Sequence, residues 1–247
     1  MKKVKRYMKF ELLNKKYSKQ DDPVIFIENF CINLVQEIKQ YYFDLGENPL
    51  QYRERILSSV IFPAFMRTGR RAVMEVYYCK FEESKRNYLD YYVMDSRGEN
   101  SYLVEFKHGW YDYDKGKLID FNKKKWTEVN KQIEKLENEK EVIHRYIDSD
   151  KNIYGLSMYM LVSQSYMENI TFEHEKYKKI ILEELDKFDW IFTKKLVDEC
   201  NLFQLDKLYY PNITLIGRIT EIDRITWNLL VTKNDWLEKY KMELKIL

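Results

Sequence analysis

Three strand-like runs follow one another in the first half of this 247-residue chain, with only short polar segments between them. They are Ala72–Phe81, Tyr88–Asp95 and Ser101–His108, and each is rich in β-branched and aromatic residues. No helix fits into connections of this length, so the three strands are predicted to form an antiparallel meander. The fold is therefore expected to contain a sheet in which three strands that are consecutive in the sequence lie next to one another.

A long amphipathic helix and an apolar strand follow the meander. Apolar residues recur at helical spacing from about Lys123 to Tyr146, which predicts a helix with one buried stripe. The run Asn152–Ser163 is apolar almost throughout, as is typical of a strand buried on both faces. Because a helix connects them, the third and fourth strands are predicted to be parallel. As an alternative, the apolar stripe of this long helix packs against the same helix of a second copy of the chain.

Two helices are predicted before the meander. The first has Asp22 as its N-cap and Pro23 in the first helical position, and Gly46 ends it. The second starts at Pro49 and contains Pro63, which is expected to kink it.

The last third of the chain is predicted to be mainly helical. The expected elements are helices at Glu173–Phe188, Phe192–Cys200, Ile222–Leu230 and Asn234–Leu244, and a strand at Asn212–Ile219. Glycine and proline are scarce, with 7 and 4 residues, and no repeat or linker interrupts the chain. We therefore expect one α/β (α+β-like) domain over residues 1–247, with a mixed sheet flanked by helices. Its parts are a basic arm and N-terminal helix (1–46), a core (47–165) and a C-terminal helical extension with one further strand (166–247).

Charge and cysteine content narrow the class of protein. The net charge is only +2, yet residues 1–20 hold eight Lys or Arg against one acid, Glu11. Such a basic arm either contacts phosphate or is simply solvated. The three cysteines are too far apart to indicate a zinc site or a disulfide framework. No signal peptide is recognisable, and no run approaches the roughly 18 apolar residues that span a bilayer. We expect a soluble, reduced, cytoplasmic protein with no membrane partner.

The third strand carries two charged residues on one face. Glu105 and Lys107 are two residues apart and so point the same way, in a strand that is otherwise apolar. A turn that pairs Asp95 with Asn100 puts Asp90 of the second strand opposite Glu105. Like charges in opposed positions are destabilising, so the pair indicates a bound divalent cation, Mg²⁺ with Mn²⁺ as a substitute. Lys107 would then orient or deprotonate a water molecule, or stabilise developing negative charge.

A third acid lies on the helix before the meander. Glu54 is four residues after Leu50 and three before Leu57, on the apolar stripe, where an unpaired carboxylate is costly. Its neighbours Arg53 and Arg55 point elsewhere by the same spacing. A partner on the sheet beneath this helix, such as a metal site, is therefore expected.

The elements and acids occur in a recognisable order over about Asn48–Ser163. A helix with Glu54 precedes a strand, a strand with Asp90, a strand with Glu105 and Lys107, a long helix and a strand. This order resembles the PD-(D/E)xK nuclease superfamily, with its restriction-endonuclease-like core. The resemblance implies Mg²⁺-dependent hydrolysis of phosphodiester bonds in DNA. It implies Asp90 and Glu105 as metal ligands, Lys107 as the water-positioning residue and Glu54 as the auxiliary acid, in an enzyme of phage defence or of a mobile element.

Plainer explanations exist for several of these residues. Glu105 and Lys107 also suit a cross-strand ion pair at a sheet edge. Glu75, in the first strand, is either a further ligand or, in the interpretation we favour, a structural partner of Arg71. His108 directly follows the motif and either contacts a phosphate or is a solvent-exposed or core-capping residue at the strand end.

Basic and aromatic residues around the motif are candidates for nucleic-acid contact. The phosphate-contact candidates are Arg67, Arg70, Arg71, Lys115, Lys117, Lys123, Lys124 and Lys125. Trp110, Tyr111 and Tyr113 either stack on bases or form a packed loop. Cutting both strands of DNA would favour a homodimer. The alternative function is an inactive nuclease-like module that binds nucleic acid or another protein.

Overall fold

The computed structural model describes residues 8–52, 54–78, 87–118, 120–138, 152–167, 173–196, 204–205 and 208–222. Within these residues the helices are α1 (Asp22–Leu45), α2 (Glu54–Thr68), α3 (Asp120–Asn138) and α4 (His174–Glu184). The strands are β1 (Met8–Leu12), β2 (Arg71–Tyr78), β3 (Asn87–Met94), β4 (Asn100–Asp112), β5 (Asn152–Gln164), β6 (Trp190–Lys195), β7 (Gln204–Leu205), β8 (Leu208–Tyr209) and β9 (Asn212–Ile222). A short 3₁₀ helix, Pro49–Gln51, lies between α1 and α2.

Seven strands form one mixed sheet in the order β1-β6-β9-β5-β4-β3-β2. β4 and β5 are parallel, and the other neighbouring pairs in this sheet are antiparallel. The predicted meander is therefore β2, β3 and β4, and β5 runs parallel to β4 after α3, as predicted. β7 and β8 form a separate two-stranded sheet. The expectation of a mixed α/β fold with helices flanking the sheet is confirmed.

Helices cover both faces of the sheet. On one face, α1 and α2 pack against Leu156, Met158 and Met160 of β5. On the other face, α3 and α4 pack against Tyr159 and Leu161. All five side chains are 1% exposed or less, and full burial of an apolar side chain of this size contributes about 1.5–3 kcal/mol. The predicted burial of β5 on both faces is confirmed.

The ends of α1 follow from local conformation and hydrogen bonding. Pro23 lies in its first turn, and Gly46 ends it in the left-handed conformation with φ 70°. The N-cap is Asp21 and not the predicted Asp22, because Asp22 is already helical. The carboxylate of Asp21 accepts hydrogen bonds from the backbone N–H and the hydroxyl of Ser18 instead of capping the helix.

Two helix predictions differ from the structure. The second helix does not run continuously from Pro49, because a 3₁₀ helix capped by the side chain of Asn48 at the N–H of Leu50 precedes α2. The predicted helix Phe192–Cys200 is wrong over Phe192–Lys195, which belong to β6. Short apolar runs do not distinguish a helix from a buried strand, and here pairing with β1 and β9 decides.

Part of the predicted basic arm is the edge strand β1, which pairs with β6. Glu11 joins this strand to α4 through an ion pair with Lys178 and a hydrogen bond of 3.1 Å between its Oε1 and His174 Nε2. Burial alone would raise the pKa of Glu11, but hydrogen bonds from Lys178, His174 and Lys9 lower it to about 2. The carboxylate is therefore ionised near neutral pH and anchors β1. The C-terminal segment also supplies two strands of the main sheet, β6 and β9, where one was predicted.

Several predictions fall outside the described residues. They concern residues 1–7 of the basic arm, the long helix after Asn138, residues 197–200, and the last helices. The predicted helix Ile222–Leu230 starts at the residue that ends β9, and its remainder, like Asn234–Leu244, is not described. No helix in the described ranges is long and apolar enough to cross a membrane.

Gly109 in β4 provides a test of how α3 packs on the sheet. A Cβ atom at this position would overlap Asn122 Oδ1 and Tyr159 OH, which hydrogen-bond to each other at 2.8 Å. We expect Gly109→Ala to lower the free energy of unfolding in urea by about 1–3 kcal/mol, because these neighbours must move. Lys124→Ala, exposed on α3, is the control and should change it by no more than about 0.5 kcal/mol. A Gly109→Ala variant as stable as the parent would contradict this packing.

Candidate active site

Backbone pairing between β3 and β4 ends one residue before two acids. The last pair of the ladder is Tyr91 with Val104, in the register predicted from the turn between these strands. The next opposed positions are Asp90 and Glu105. The predicted opposition of the two acids is therefore present, at the point where the β3–β4 ladder ends.

The carboxylate of Asp90 replaces a backbone acceptor at this point. Its Oδ2 accepts a hydrogen bond from Phe106 N at 2.8 Å. Tyr91 packs with α1 and α2 on one face of the sheet, whereas Leu89 packs in a cluster with α3 on the other. Residues two apart in a regular strand share a face, so the alternation of β3 breaks at Asp90. The break accompanies an Asp90 carboxylate that bonds to the neighbouring strand.

β2 is irregular at the same level. The register of β2 and β3 places Glu75 opposite Asp90. These two residues do not pair, although the pairs on either side, Met74 with Tyr91 and Val76 with Leu89, are formed. Glu75 has φ 51°, in the left-handed region that a non-glycine residue adopts at an energetic cost. Two acids thus occupy opposed positions at an interruption of the β2–β3 ladder.

Lys107 connects the two predicted metal ligands. Its Nζ lies 2.8 Å from Glu105 Oε1, 3.2 Å from Asp90 Oδ2 and 3.4 Å from Phe106 O. The side chain of Glu105 is 1% exposed, that of Lys107 15% and that of Asp90 29%. Water screens the buried carboxylate of Glu105 least, so it depends on a nearby positive charge. Three of the four predicted catalytic residues are thus in contact.

The oxygens around Lys107 Nζ have the chemistry of a hard-cation site. They belong to two carboxylates and one backbone carbonyl, and Mg²⁺ is usually bound through one or two carboxylates with waters completing its shell. Among the described side chains, no group of three or more His, Cys, Asp or Glu could hold a metal ion. A Mg²⁺ ion bound by these two carboxylates would need several waters to complete its shell.

A pocket of about 640 Å³ opens beside Asp90. It is lined by Arg55, Ser58, Met74, Glu75, Asp90, Tyr91 and Phe106. Arg55 and Ser58 lie near the start of α2, so this end of the helix borders the acids. Glu54, the fourth predicted catalytic residue, is the first residue of α2, and its side chain lies outside what the structure describes.

Arg55 is a site-lining residue that the sequence does not predict. The prediction that Arg55 points away from the sheet assumes that Leu50 and Leu57 lie on one apolar face of a single helix. Leu50 lies in the 3₁₀ helix and only Leu57 lies in α2, so the two are not on one helical face. The sequence feature that could have indicated Arg55 is its position directly after the candidate acid Glu54, at the start of a helix.

The predicted phosphate contacts Arg70 and Arg71 do not lie at the acids. Both are exposed, and Arg71 pairs with Met94, four residues and about 13 Å along β3 from Asp90. No ion pair joins Arg71 to Glu75 among the described side chains. The structural partnership favoured for Glu75 is therefore not present.

The other predicted phosphate contacts lie beyond β4. Lys115 forms an ion pair with Asp112 at 2.7 Å, and Lys123 forms one with Glu184. Hydrogen bonding to these carboxylates raises the pKa of both lysines. Lys124 is exposed on α3. These three residues are not brought into contact with Lys107.

The aromatic residues after the motif are partly packed. Tyr111 is 2% exposed and packs edge-on against Tyr177, with ring centroids 4.6 Å apart. Trp110 is half-buried against His108, with centroids 4.8 Å apart. Tyr111 is therefore packed where a base cannot reach it, but it lies in β4 and not in the predicted loop.

His108 is a buried, neutral histidine next to Lys107. It is 7% exposed, and burial lowers the pKa of its imidazole to about 4, with further lowering by Lys125 and Lys107. Neither ring nitrogen has a hydrogen-bond partner within the described part of the chain. The predicted strand end at His108 is wrong, because β4 continues to Asp112, and the burial of His108 supports a core position and not contact with a phosphate.

No family model, curated protein or solved structure matches this chain. Its function therefore has to be inferred from the geometry and chemistry of the side chains.

Removing Lys107 alone should destabilise the fold. Lys107→Met takes the nearest positive charge from the buried carboxylate of Glu105, and we expect a loss of about 3–5 kcal/mol in urea denaturation. Replacing both residues, Glu105→Gln with Lys107→Met, should restore most of that loss, because the uncompensated charge is gone. Lys115→Met removes an exposed pair and should cost about 0–1 kcal/mol. Additive effects of the two single changes would contradict the coupling.

His108 predicts a pH dependence of stability. In the unfolded chain it binds a proton near pH 6.5, whereas in the folded protein it stays neutral down to about pH 4. Between these values the unfolded state binds more protons, so stability falls as the pH is lowered, by up to about 3 kcal/mol. His108→Leu should remove this part of the pH dependence, measured as the difference between urea unfolding curves at pH 7 and pH 4.5. If the free energy of unfolding changes with pH by the same amount in the parent and in His108→Leu, the assignment of this pH dependence to His108 is wrong.

Proposed function

We propose that this protein is a metal-dependent nuclease that hydrolyses phosphodiester bonds in DNA, built on a restriction-endonuclease-like core. The observation that carries the proposal is the convergence of Asp90 Oδ2, Glu105 Oε1 and Phe106 O around Lys107 Nζ. Two acids in opposed positions are destabilising unless positive charge lies between them. Charged groups clustered in this way inside an apolar sheet, beside a pocket, are characteristic of catalytic sites.

The order of the elements supports the fold part of the proposal. α2, the meander β2–β3–β4, α3 and the parallel strand β5 follow one another as in the PD-(D/E)xK nucleases that the sequence resembles. The candidate residues fall on the corresponding elements, at the helix start, in the second strand of the meander and in its third strand. β9, β6 and β1 extend the sheet on the other side of β5.

In this proposal Asp90 and Glu105 hold a Mg²⁺ ion, for which Mn²⁺ can substitute, and Glu54 is the auxiliary acid. When bound, the ion lowers the pKa of a water molecule and offsets negative charge on the phosphate. The N–H of Phe106 fixes the carboxylate of Asp90 through a hydrogen bond, so that this oxygen needs little rearrangement to act as a ligand.

Lys107 acts on the attacking water and on the phosphate. Its ammonium group can only donate hydrogen bonds, so it orients the water by donating to the oxygen, or donates to a phosphate oxygen as negative charge develops. The contacts with Glu105 and Asp90 hold the amine at one position. A pre-positioned charge of this kind requires little reorganisation during the reaction.

A second candidate is a nuclease-like module that binds nucleic acid or another protein without cleaving it. The observation that favours it is the ion pairing of Lys107 with both carboxylates, which compensates their charge without a metal ion. Such a protein would bind DNA in a salt-dependent manner, or not at all, and would show no metal-dependent cleavage.

Cleavage of plasmid DNA in Mg²⁺ or Mn²⁺ tests the proposed activity. We expect the parent to cleave and Asp90→Asn to be slower by about 100-fold or more, because the amide can still accept from Phe106 N but is a poor ligand for a hard cation. Asp112→Asn is the matched control, since Asp112 lies at the end of β4 and pairs with the exposed Lys115. It should cleave within about twofold of the parent.

A thermal melt of each variant separates loss of activity from loss of fold. Absence of cleavage by the parent in both metals would favour the binding module. A folded Asp90→Asn variant that cleaves as fast as the parent would refute the catalytic assignment. Calorimetric titration with Mn²⁺ adds a second readout, because only the nuclease proposal requires that Asp90→Asn weaken metal binding.

A further inference from the structure

The pocket beside Asp90 has an uneven distribution of charge. Two of its lining residues, Glu75 and Asp90, are acids, and both would repel a phosphodiester in the absence of a compensating cation. Among the described residues that line it, Arg55 of α2 is the cationic one. An anionic substrate that enters this pocket therefore meets the guanidinium group of Arg55 as well as the two carboxylates.

Several other cations of the described residues are engaged in ion pairs. Lys107 is held by Glu105 and Asp90. Away from the pocket, the pairs include Arg67–Glu37, Arg97–Asp22, Lys115–Asp112 and Lys123–Glu184. Arg55 is exposed, and no carboxylate with a described side chain lies within ion-pair distance of it. Because Arg55 is exposed, a ligand from solvent can reach its side chain.

The chemistry of Arg55 suits a phosphate. A guanidinium group presents parallel N–H donors that match two phosphate oxygens, and it carries its charge at every physiological pH. Arg55 also lies in the first turn of α2, where the helix dipole adds positive potential. Met74, Tyr91 and Ser58 also line the pocket, and the hydroxyl of Tyr91 hydrogen-bonds to that of Ser58 at 3.3 Å.

We propose that Arg55 is a positioning residue that binds the phosphate of the substrate in this pocket and holds it against the acids. The inference rests on the proposed nuclease function and deepens it, because it assigns the side from which the nucleic-acid backbone approaches. Arg55 contacts non-bridging phosphate oxygens from the α2 side, while Asp90, Glu105 and Lys107 act from the sheet. Arg70, Arg71, Lys115 and Lys123 are then secondary to Arg55 in affinity.

Cleavage kinetics with a fluorescent DNA oligonucleotide in Mg²⁺ test this assignment. We expect Arg55→Ala to lower kcat/KM by about 10- to 100-fold, and Arg55→Lys to recover part of the loss, because lysine keeps the charge but not the paired donors. Arg97→Ala makes the same change of charge in the turn between β3 and β4 and should stay within about twofold of the parent. Arg55→Ala within twofold of the parent would overturn the inference.

Binding measurements provide a readout that does not depend on cleavage. In the Asp90→Asn background, we measure the affinity for the same oligonucleotide by anisotropy at several salt concentrations. Loss of one phosphate contact should reduce the slope of log affinity against log salt by about one for Arg55→Ala, and Arg97→Ala should leave it unchanged.

The two proposals fail in different ways. A parent protein that binds DNA without cleaving it refutes the nuclease activity, and the salt slope of Arg55→Ala then still decides the role of Arg55. An unchanged slope overturns that role whether or not the parent cleaves. A parent that neither binds nor cleaves DNA refutes both proposals.

Discussion

The buried carboxylate of Glu105 determines the arrangement at this end of the sheet. With 1% of its side chain exposed it is not hydrated, and an isolated charge in such a position costs several kcal/mol. Lys107, two residues further on the same face, supplies positive charge, and its ammonium group also contacts Asp90 of the neighbouring strand. That contact is made where β3 departs from regular alternation. The ion-pair cluster of Glu105, Lys107 and Asp90 thus lies where the β3–β4 pairing ends, and the same three residues form the candidate site.

A second departure from regular structure lies beside the first. Glu75 adopts a left-handed backbone conformation opposite Asp90, and the β2–β3 ladder is interrupted at this level. Backbone strain and opposed like charges both lower stability. An apolar, hydrogen-bonded pair would be more stable here, and such pairs occupy the flanking positions. The concentration of these costs beside a pocket supports the proposed binding of a cation and an anionic substrate.

Under the proposed function, the charge of the protein limits how it would hold nucleic acid. The net charge is only +2, so the overall positive field is weak. In the described part of the chain, Lys115 and Lys123 are paired with Asp112 and Glu184. The proposal therefore assigns the main phosphate contacts to groups beside the acids, with Mg²⁺ held by Asp90 and Glu105 as one of them.

Short-range patterns by themselves determined the meander, the buried strand β5, the end of α1 at Gly46 and its start to within one residue, because periodicity, turn length and the conformations of Pro23 and Gly46 act within a few residues. They also determined that Asp90 opposes Glu105, since the turn between β3 and β4 sets the register. Only the tertiary structure decided that Phe192–Lys195 is a strand, because its partners β1 and β9 lie elsewhere in the chain. The broken alternation in β3 and the position of Arg55 beside the acids likewise depend on how α2 and the neighbouring strands pack. Local sequence cannot encode contacts whose energy comes from residues far away along the chain.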